Sequence, residues 1–315
     1  MINIMIIGLG SIGSRHLESI LKIKKIKNIY LIDPKYNSNN QSLLLNSSNT
    51  KIFKFSEISN FNINFDLVII STNSDVRFDI TNKLFKLNKF KNLLLEKISF
   101  IKISHYNAIN QKAIYYRTKI FVNYPRPMWK SYINLKKIIK NDVIIDMNFS
   151  SFSWNLCSNS LHYINLFNFL TNTDSINMVH HRILNRYFKS KRNSFYELKG
   201  SLVFCNDVKQ KLYLQDTFKY SDQKLTINTK KYCINIFEKN GLMKIYNKDQ
   251  KKITKNNFKT ELQSDLTNIF FQSILDRDFS KLPTLASCTH SDTIFLNSLH
   301  KITKNKFDIS NFKIT

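Results

Sequence analysis

Six residues near the start of the chain have the types and spacing of a phosphate cradle. Gly8-Leu9-Gly10-Ser11-Ile12-Gly13 follows the apolar run Ile2–Ile7 and opens a stretch with helical spacing through Ile12, Leu17, Ile20 and Leu21. In such a motif the first glycine permits a tight turn and the second lets the backbone approach a pyrophosphate. The third lets the helix lie close on the strand. The helix start, here Ser11 and Ile12, offers unpaired N–H groups and a positive dipole end to phosphate oxygens. The chain has 5 glycines in all, and three stand in this motif. Asp33 closes the next strand-like run. A carboxylate about 20 residues beyond the glycines can bond an adenosine ribose 2′-hydroxyl and repel a 2′-phosphate. NAD is therefore expected over NADP.

Further along, Glu96-Lys97 ends the apolar run Asn92–Leu95. That places a titratable pair at the carboxyl end of a strand, where open α/β sheets bind ligands. His162 opens the short apolar stretch Leu161–Leu170, a place for a proton-exchanging group or for a satisfied core histidine. Arg126 offers a bidentate fork to a carboxylate or phosphate. Tyr124 and Trp154 could stack on a sugar ring, and Asn159 could hydrogen-bond one. Tyr124, Arg126 and Trp154 would serve equally well as packing residues between domains. Cys157 reads as small packing. The adjacent His180 and His181 would point to opposite faces of a strand and share no metal.

The elements that must position these residues fall into two patterns. Runs at Ile2–Ile7, Asn28–Ile32, Leu67–Ile70, Asn92–Leu95 and Ile120–Asn123 alternate with helical stretches at Ser11–Ile23, Val76–Leu87 and Ile101–Tyr116. Such alternation gives βαβ units and a parallel sheet. After about residue 123 the pattern changes. Helical spacing over Met128–Lys140 precedes a strand-like Asp142–Ser150 and the Leu161–Leu170 helix. Strands then follow one another at Phe195–Cys205, Val208–Leu214, Tyr232–Glu238 and Leu242–Tyr246, which implies an antiparallel sheet. Helices at Thr260–Leu275 and Leu285–Lys301 close the chain. The expected fold is α/β, with a Rossmann dinucleotide-binding domain over 1–122 and an α+β domain with a largely antiparallel open sheet over 123–315. The last helix, about 284–301, is free to return to the first domain.

Composition narrows the function classes. The chain has 315 residues, 43% of them hydrophobic, which suits two ordinary domains. No apolar run reaches the roughly 18–20 residues needed to span a bilayer. Met1–Leu9 lacks a basic flank and a cleavage site and reads as a strand, not a signal peptide. The 4 cysteines are far apart and suggest neither a disulfide framework nor a zinc site. The formal charge of +26 comes from 48 Lys+Arg against 22 Asp+Glu, with Lys greatly outnumbering Arg. Together with abundant Asn, Ile and Phe it reads as A/T-rich codon usage spread over solvated faces. A nucleic-acid partner is not expected.

Taken in order, these segments resemble the Gfo/Idh/MocA family, the glucose-fructose oxidoreductase and inositol dehydrogenase group. Arg15-His16 follows the glycine motif as in the family's GxGxxGxRH start. Ser71-Thr72-Asn73 looks like its A-T-P/N turn, and Leu93–Lys97 its EKP motif. Val122-Asn123-Tyr124 with Arg126 resembles G-Y-N-x-R, and Ser158–His162 resembles DxxxH. Lys281-Leu282-Pro283-Thr284-Leu285 with His290 resembles the LPT…H helix. Three positions and one segment depart from the pattern: Ile98 replaces Pro, Ser158 replaces Asp, Arg77 replaces His, and Ser153-Trp154-Asn155-Leu156 replaces a glycine-rich stretch.

The resemblance implies a site. Gly8, Gly10, Ser11, Ile12, Gly13, Asp33, Ser71, Thr72, Asn73, Glu96 and Lys97 would bind the cofactor, with Glu96 accepting ribose hydroxyls. Lys97 and His162 would be catalytic. Tyr124, Arg126, Trp154, Asn159 and His162 would face substrate, and no metal is expected. The implied activity is NAD-dependent hydride transfer with a carbinol carbon of a sugar, nucleotide sugar or polyol, in surface polysaccharide synthesis by association. It implies a cytoplasmic homo-oligomer, a dimer or tetramer. Redox-neutral epimerisation or elimination on tightly held NAD stays open, as does a non-catalytic NAD-binding scaffold or sensor.

Overall fold

Continuous apolar runs make strands that are buried on both faces. The N-terminal region holds β1 (Ile2–Ile7), α1 (Ser11–Ile20), β2 (Ile26–Ile32), β3 (Leu44–Leu45), β4 (Lys51–Phe55) and β5 (Asn64–Phe65). It continues with β6 (Leu67–Ile70), α2 (Ser74–Leu87), β7 (Lys89–Phe90), β8 (Asn92–Glu96), α3 (Ile103–Tyr115) and β9 (Lys119–Asn123). The computed structural model describes residues 2–36, 44–45, 50–190, 195–217, 220–276, 282–307 and 312–314. Lys281 of the LPT-like motif lies outside them.

Among the described residues, seven strands form one sheet in the order β3-β4-β2-β1-β6-β8-β9. Every pair is parallel except β3–β4. All four residues of β6 are buried, as are the first four of β8. From β1 the chain builds outward through β2 to β4, then returns to β6 beside β1 and builds the other way. This reversal between β1 and β6 is the point beyond whose carboxyl ends open α/β sheets take ligands.

The rest of the chain starts with a 3-10 turn (Arg126–Met128), α4 (Lys130–Ile138), β10 (Ile144–Phe152) and α5 (Leu156–Thr171). There follow β11 (Asn177–Lys189), β12 (Tyr196–Cys205), β13 (Lys211–Thr217), β14 (Lys224–Thr229), β15 (Tyr232–Phe237), β16 (Leu242–Asn247) and β17 (Lys252–Asn257). Helices α6 (Gln263–Leu275) and α7 (Leu285–Phe307) end it. The strands form a sheet in the order β11-β12-β13-β10-β14-β15-β16-β17, antiparallel except at β10–β13. Alternation along β12 and β13 turns Leu198, Leu202, Phe204, Leu212 and Leu214 to the buried side. Helix α5 covers that side against β10, β12 and β13. Among the described residues no helix is long and apolar enough to cross a membrane.

The chain forms two compact units, 1–125 with 261–287 and 126–260 with 288–315. A single cut at 122/123 therefore misplaces 261–287. Helix α6 lies along α1, where His16 Nδ1 bonds Thr267 Oγ1 at 2.8 Å and Lys22 Nζ bonds Asp265 at 2.6 Å. Two other expectations shift. Helix α1 ends at Ile20 rather than Ile23, with Leu21 as its C-cap. Helix α5 starts at Leu156, five residues before the expected Leu161, because a distant side chain caps it (below).

Candidate functional site

At the end of β1, Gly8 takes a left-handed φ of 88° and donates its N–H to Ile32 O at 2.8 Å. A Cβ on Gly13 would stand 1.9 Å from Gly8 O, so only glycine lets α1 approach the strand this closely. A Cβ on Gly10 would meet nothing within 4 Å. The space over Gly10 is the room that a backbone-bound pyrophosphate requires. Helix α1 has no side-chain cap and no acidic residue in its first turn, leaving its leading N–H groups to an anion.

Side chains around the turn brace it. Ser71 Oγ donates to Gly8 O at 2.6 Å, so this hydroxyl supports the turn from within. Thr72 lies against Gly8, and its buried Oγ1 has no hydrogen-bond partner among the described residues. Asn73 is exposed and precedes α2 without a capping bond. Asp33 Oδ2 accepts from Leu9 N–H at 2.6 Å and Oδ1 from Lys35 N–H at 3.1 Å. A carboxylate has about four acceptor sites, so capacity for ribose hydroxyls remains. Lys35 Nζ reaches Leu9 O at 3.0 Å, and the ammoniums of Lys35 and Lys54 lie 5.4 and 5.2 Å from the Tyr36 ring centre.

Glu96 ends β8 and turns one oxygen inward. Its Oε1 accepts from His16 Nε2 at 3.0 Å and from Asn123 Nδ2. Asn123 Nδ2 also reaches Gln263 Oε1, Gln263 Nε2 reaches Thr267 Oγ1, and Thr267 Oγ1 meets His16 Nδ1. Five side chains thus close a ring of hydrogen bonds. Burial alone would raise the Glu96 carboxyl, but the bonds from His16 and Asn123 outweigh it and hold it below its ordinary range. Lys97, half-buried, follows at once, and the Lys97–Ile98 peptide is cis.

Sequence reasoning missed the part Arg77 plays. Its guanidinium, 1% exposed, donates to Glu96 O at 2.7 Å, to Ser99 O at 3.2 Å, and to Ile98 O and Thr72 O. One buried cation thereby ties the turn after β6 to the segment carrying Lys97. The sequence marks Arg77 only as a departure from the resembled family's His and as a basic residue one turn into a helix.

In the second unit, Arg126 does not present a free fork. It pairs with Glu238 through two bonds of 2.9 Å, donates to Tyr163 OH at 3.0 Å and lies 4.4 Å over that ring. Tyr132 and Gln223 also donate to Glu238. Desolvation would lower the Arg126 pKa, but the Glu238 charge prevails and raises it. Arg126 is thus committed to the interior rather than to a substrate anion. Tyr124, in the first unit, is 1% exposed and its ring is a core residue. Trp154 sits edge-on to Phe149 and Tyr163 at 4.6 and 5.6 Å and donates to Gln215 O at 3.0 Å. Asn159 Nδ2 bonds Trp154 O at 2.6 Å. His162 is half-buried in the second turn of α5, not at its start. The α5 N-terminus is held by Glu197, 5% exposed, which accepts from Cys157 N–H at 2.8 Å, Ser158 N–H at 3.1 Å and Ser158 Oγ.

No curated protein matches the sequence. Similar solved structures share its fold over nearly their whole length. UDP-N-acetylglucosamine 3-dehydrogenase GnnA from Acidithiobacillus ferrooxidans is 10% identical, with 99% of this chain and 98% of that one covered at a TM-score of 0.69. A super-repressor mutant of Gal80p from Saccharomyces cerevisiae is 12% identical, with 95% of each chain covered at 0.70. Biliverdin reductase from Synechocystis sp., solved with biliverdin and NADP+, is 11% identical, with 95% and 98% covered at 0.69. The family model described as "Oxidoreductase family, NAD-binding Rossmann fold" matches residues 2–124. Residues 2–124 of this chain therefore form a Rossmann domain of the Gfo/Idh/MocA oxidoreductase family.

Proposed function

We propose that the chain is an NAD-dependent oxidoreductase acting on a carbinol carbon of a sugar, nucleotide sugar or polyol. The observation that carries this reading is the glycine turn, where Gly10 leaves open space before an uncapped, acid-free helix start. Bound NAD would supply the nicotinamide that accepts a hydride from the carbinol as it becomes a carbonyl. The backbone at Gly10, Ser11 and Ile12 would hold the pyrophosphate, and Asp33 a ribose hydroxyl. Lys97 would take the hydroxyl proton, with Arg77 fixing its loop, and His162 would bind the substrate hydroxyl or share the proton. The nucleotide sugar is favoured by analogy with GnnA. On the same reading the protein works in the cytoplasm as a dimer or tetramer, with neither nucleic acid nor membrane as partner.

A non-catalytic NAD-binding scaffold is the second reading. It is favoured by the two expected substrate residues, Tyr124 and Arg126, being committed to the interior. Calorimetric titration with NAD, NADH, NADP and NADPH tests the common part. NAD(H) should bind about tenfold or more tightly than NADP(H), a difference of about 1.4 kcal/mol. Tighter NADP(H) would assign Lys35 and Lys54 to a 2′-phosphate, and no binding of any of the four sinks both readings. Lys97→Ala then separates them. In the enzyme it abolishes turnover of a UDP-sugar panel while nucleotide binding survives.

A further inference from the structure

The second unit holds a buried carboxylate that the proposed chemistry leaves unused. Glu197 lies on β12, 39 residues beyond Ser158, yet its oxygens meet the first turn of α5. Asn155, the residue before the helix, has a left-handed φ of 63° and makes no side-chain cap. Cys157 N–H, Ser158 N–H and Ser158 Oγ all turn to Glu197 instead. Ser158 and His162 are four residues apart on α5, so they share a face, and helical side chains lean toward the N-terminus. His162 therefore leans toward the residue that grips the carboxylate.

We propose that Glu197 is a positioning residue for His162, delivering from β12 a negative charge beside the neutral Ser158 and fixing the first turn of the helix, one turn before His162. The inference rests on the reading of His162 as the substrate-side proton group. The remaining charged groups on elements packed against α5 are otherwise engaged or distinct. Asp216 on β13 accepts Ser153 N–H at 2.9 Å, Lys199 on β12 donates to Ser153 Oγ at 2.9 Å, and Arg126 is paired with Glu238. Asp146 on β10 accepts from Asn228 at 2.8 Å, and Lys211 is exposed. On α5 itself, the buried Cys157 thiol is pushed well up by desolvation and by Glu197, so it stays neutral.

Ring-proton NMR of the full chain across pH tests this without nucleotide or substrate, with His162→Gln assigning the resonance among the 7 histidines. In Glu197→Gln the His162 titration midpoint should move to lower pH, because a neighbouring negative charge favours the protonated ring. The other histidines should stay in place. Amide exchange at Cys157 and Ser158 should rise about tenfold or more, as charge-assisted bonds are lost. Glu197→Asp, which keeps the charge but withdraws it by one methylene, should give a smaller shift in the same direction. It also serves if the Gln variant does not fold. Faster exchange with an unmoved His162 midpoint would reduce Glu197 to a helix cap and overturn the proposal. That result beside tight NAD binding would leave the functional reading standing, whereas a shifted midpoint without nucleotide binding would overturn only the functional reading.

Discussion

Two of the strand–turn–helix junctions that carry candidate residues, β1 into α1 and β10 into α5, solve one problem in opposite ways. Each must leave a strand sharply and start a helix whose first N–H groups have no partner within it. The first junction omits atoms. Gly8 turns, Gly13 admits the strand, and the N–H groups stay open. The second adds atoms. Residues with side chains take positive φ at Ser153 and Asn155, and the N–H groups are closed by a carboxylate from another strand. Only the first is therefore free to receive a phosphate. The second spends its anion affinity on its own chain and presents His162 instead.

The largest test of this contrast falls on the charge-built region. Arg126→Met should cost about 3–5 kcal/mol in urea unfolding, because it strands Glu238 as a buried charge without its cation. A cost under 1 kcal/mol would mean that the second unit does not depend on such pairs. At the first junction the threat is an added atom. Gly13→Ala should cost about 1–3 kcal/mol and abolish nucleotide binding, since its Cβ would collide with Gly8 O. Retained binding would remove the close approach from the argument.

A smaller effect concerns Glu96, the largely enclosed carboxylate at the end of β8. Its pKa is lowered on folding, so its contribution is present above the ordinary glutamate range and is lost as pH falls through the lower folded value. In wild type, stability should therefore decline through this acid range. Glu96→Gln should flatten the decline while lowering stability at pH 7 by about 1 kcal/mol, the difference between charged and neutral hydrogen bonds. An acid limb that keeps its slope would place the titration elsewhere.

The degree to which each region was legible follows from the same contrast. Buried parallel strands announce themselves as apolar runs, and Leu67–Ile70 stands where the sequence puts it. Half-exposed strands do not. Lys51–Phe55, Lys224–Thr229 and Lys252–Asn257 were not read as strands because polar residues interrupt their apolar pattern, whereas Asn177–Lys189 was anticipated only around His180 and His181. The start of α5 was missed for a related reason. Ser158, Asn159 and Ser160 look like a loop, and Glu197, which accepts from the first turn, lies 39 residues further along the chain.

By itself, the sequence determined the parallel strands and the glycine turn, because hydrophobic period and the absence of a Cβ act locally, whereas the strand order and its reversal between β1 and β6 came with the fold. Tertiary structure alone decided what the charged side chains do. It set Glu96 in a ring with His16 and Asn123, spent Arg126 on Glu238, tied the Lys97 loop to Arg77 and brought Glu197 to Ser158. A buried charge must find its partner wherever the fold supplies one, and that partner can be 112 residues away, as Glu238 is from Arg126.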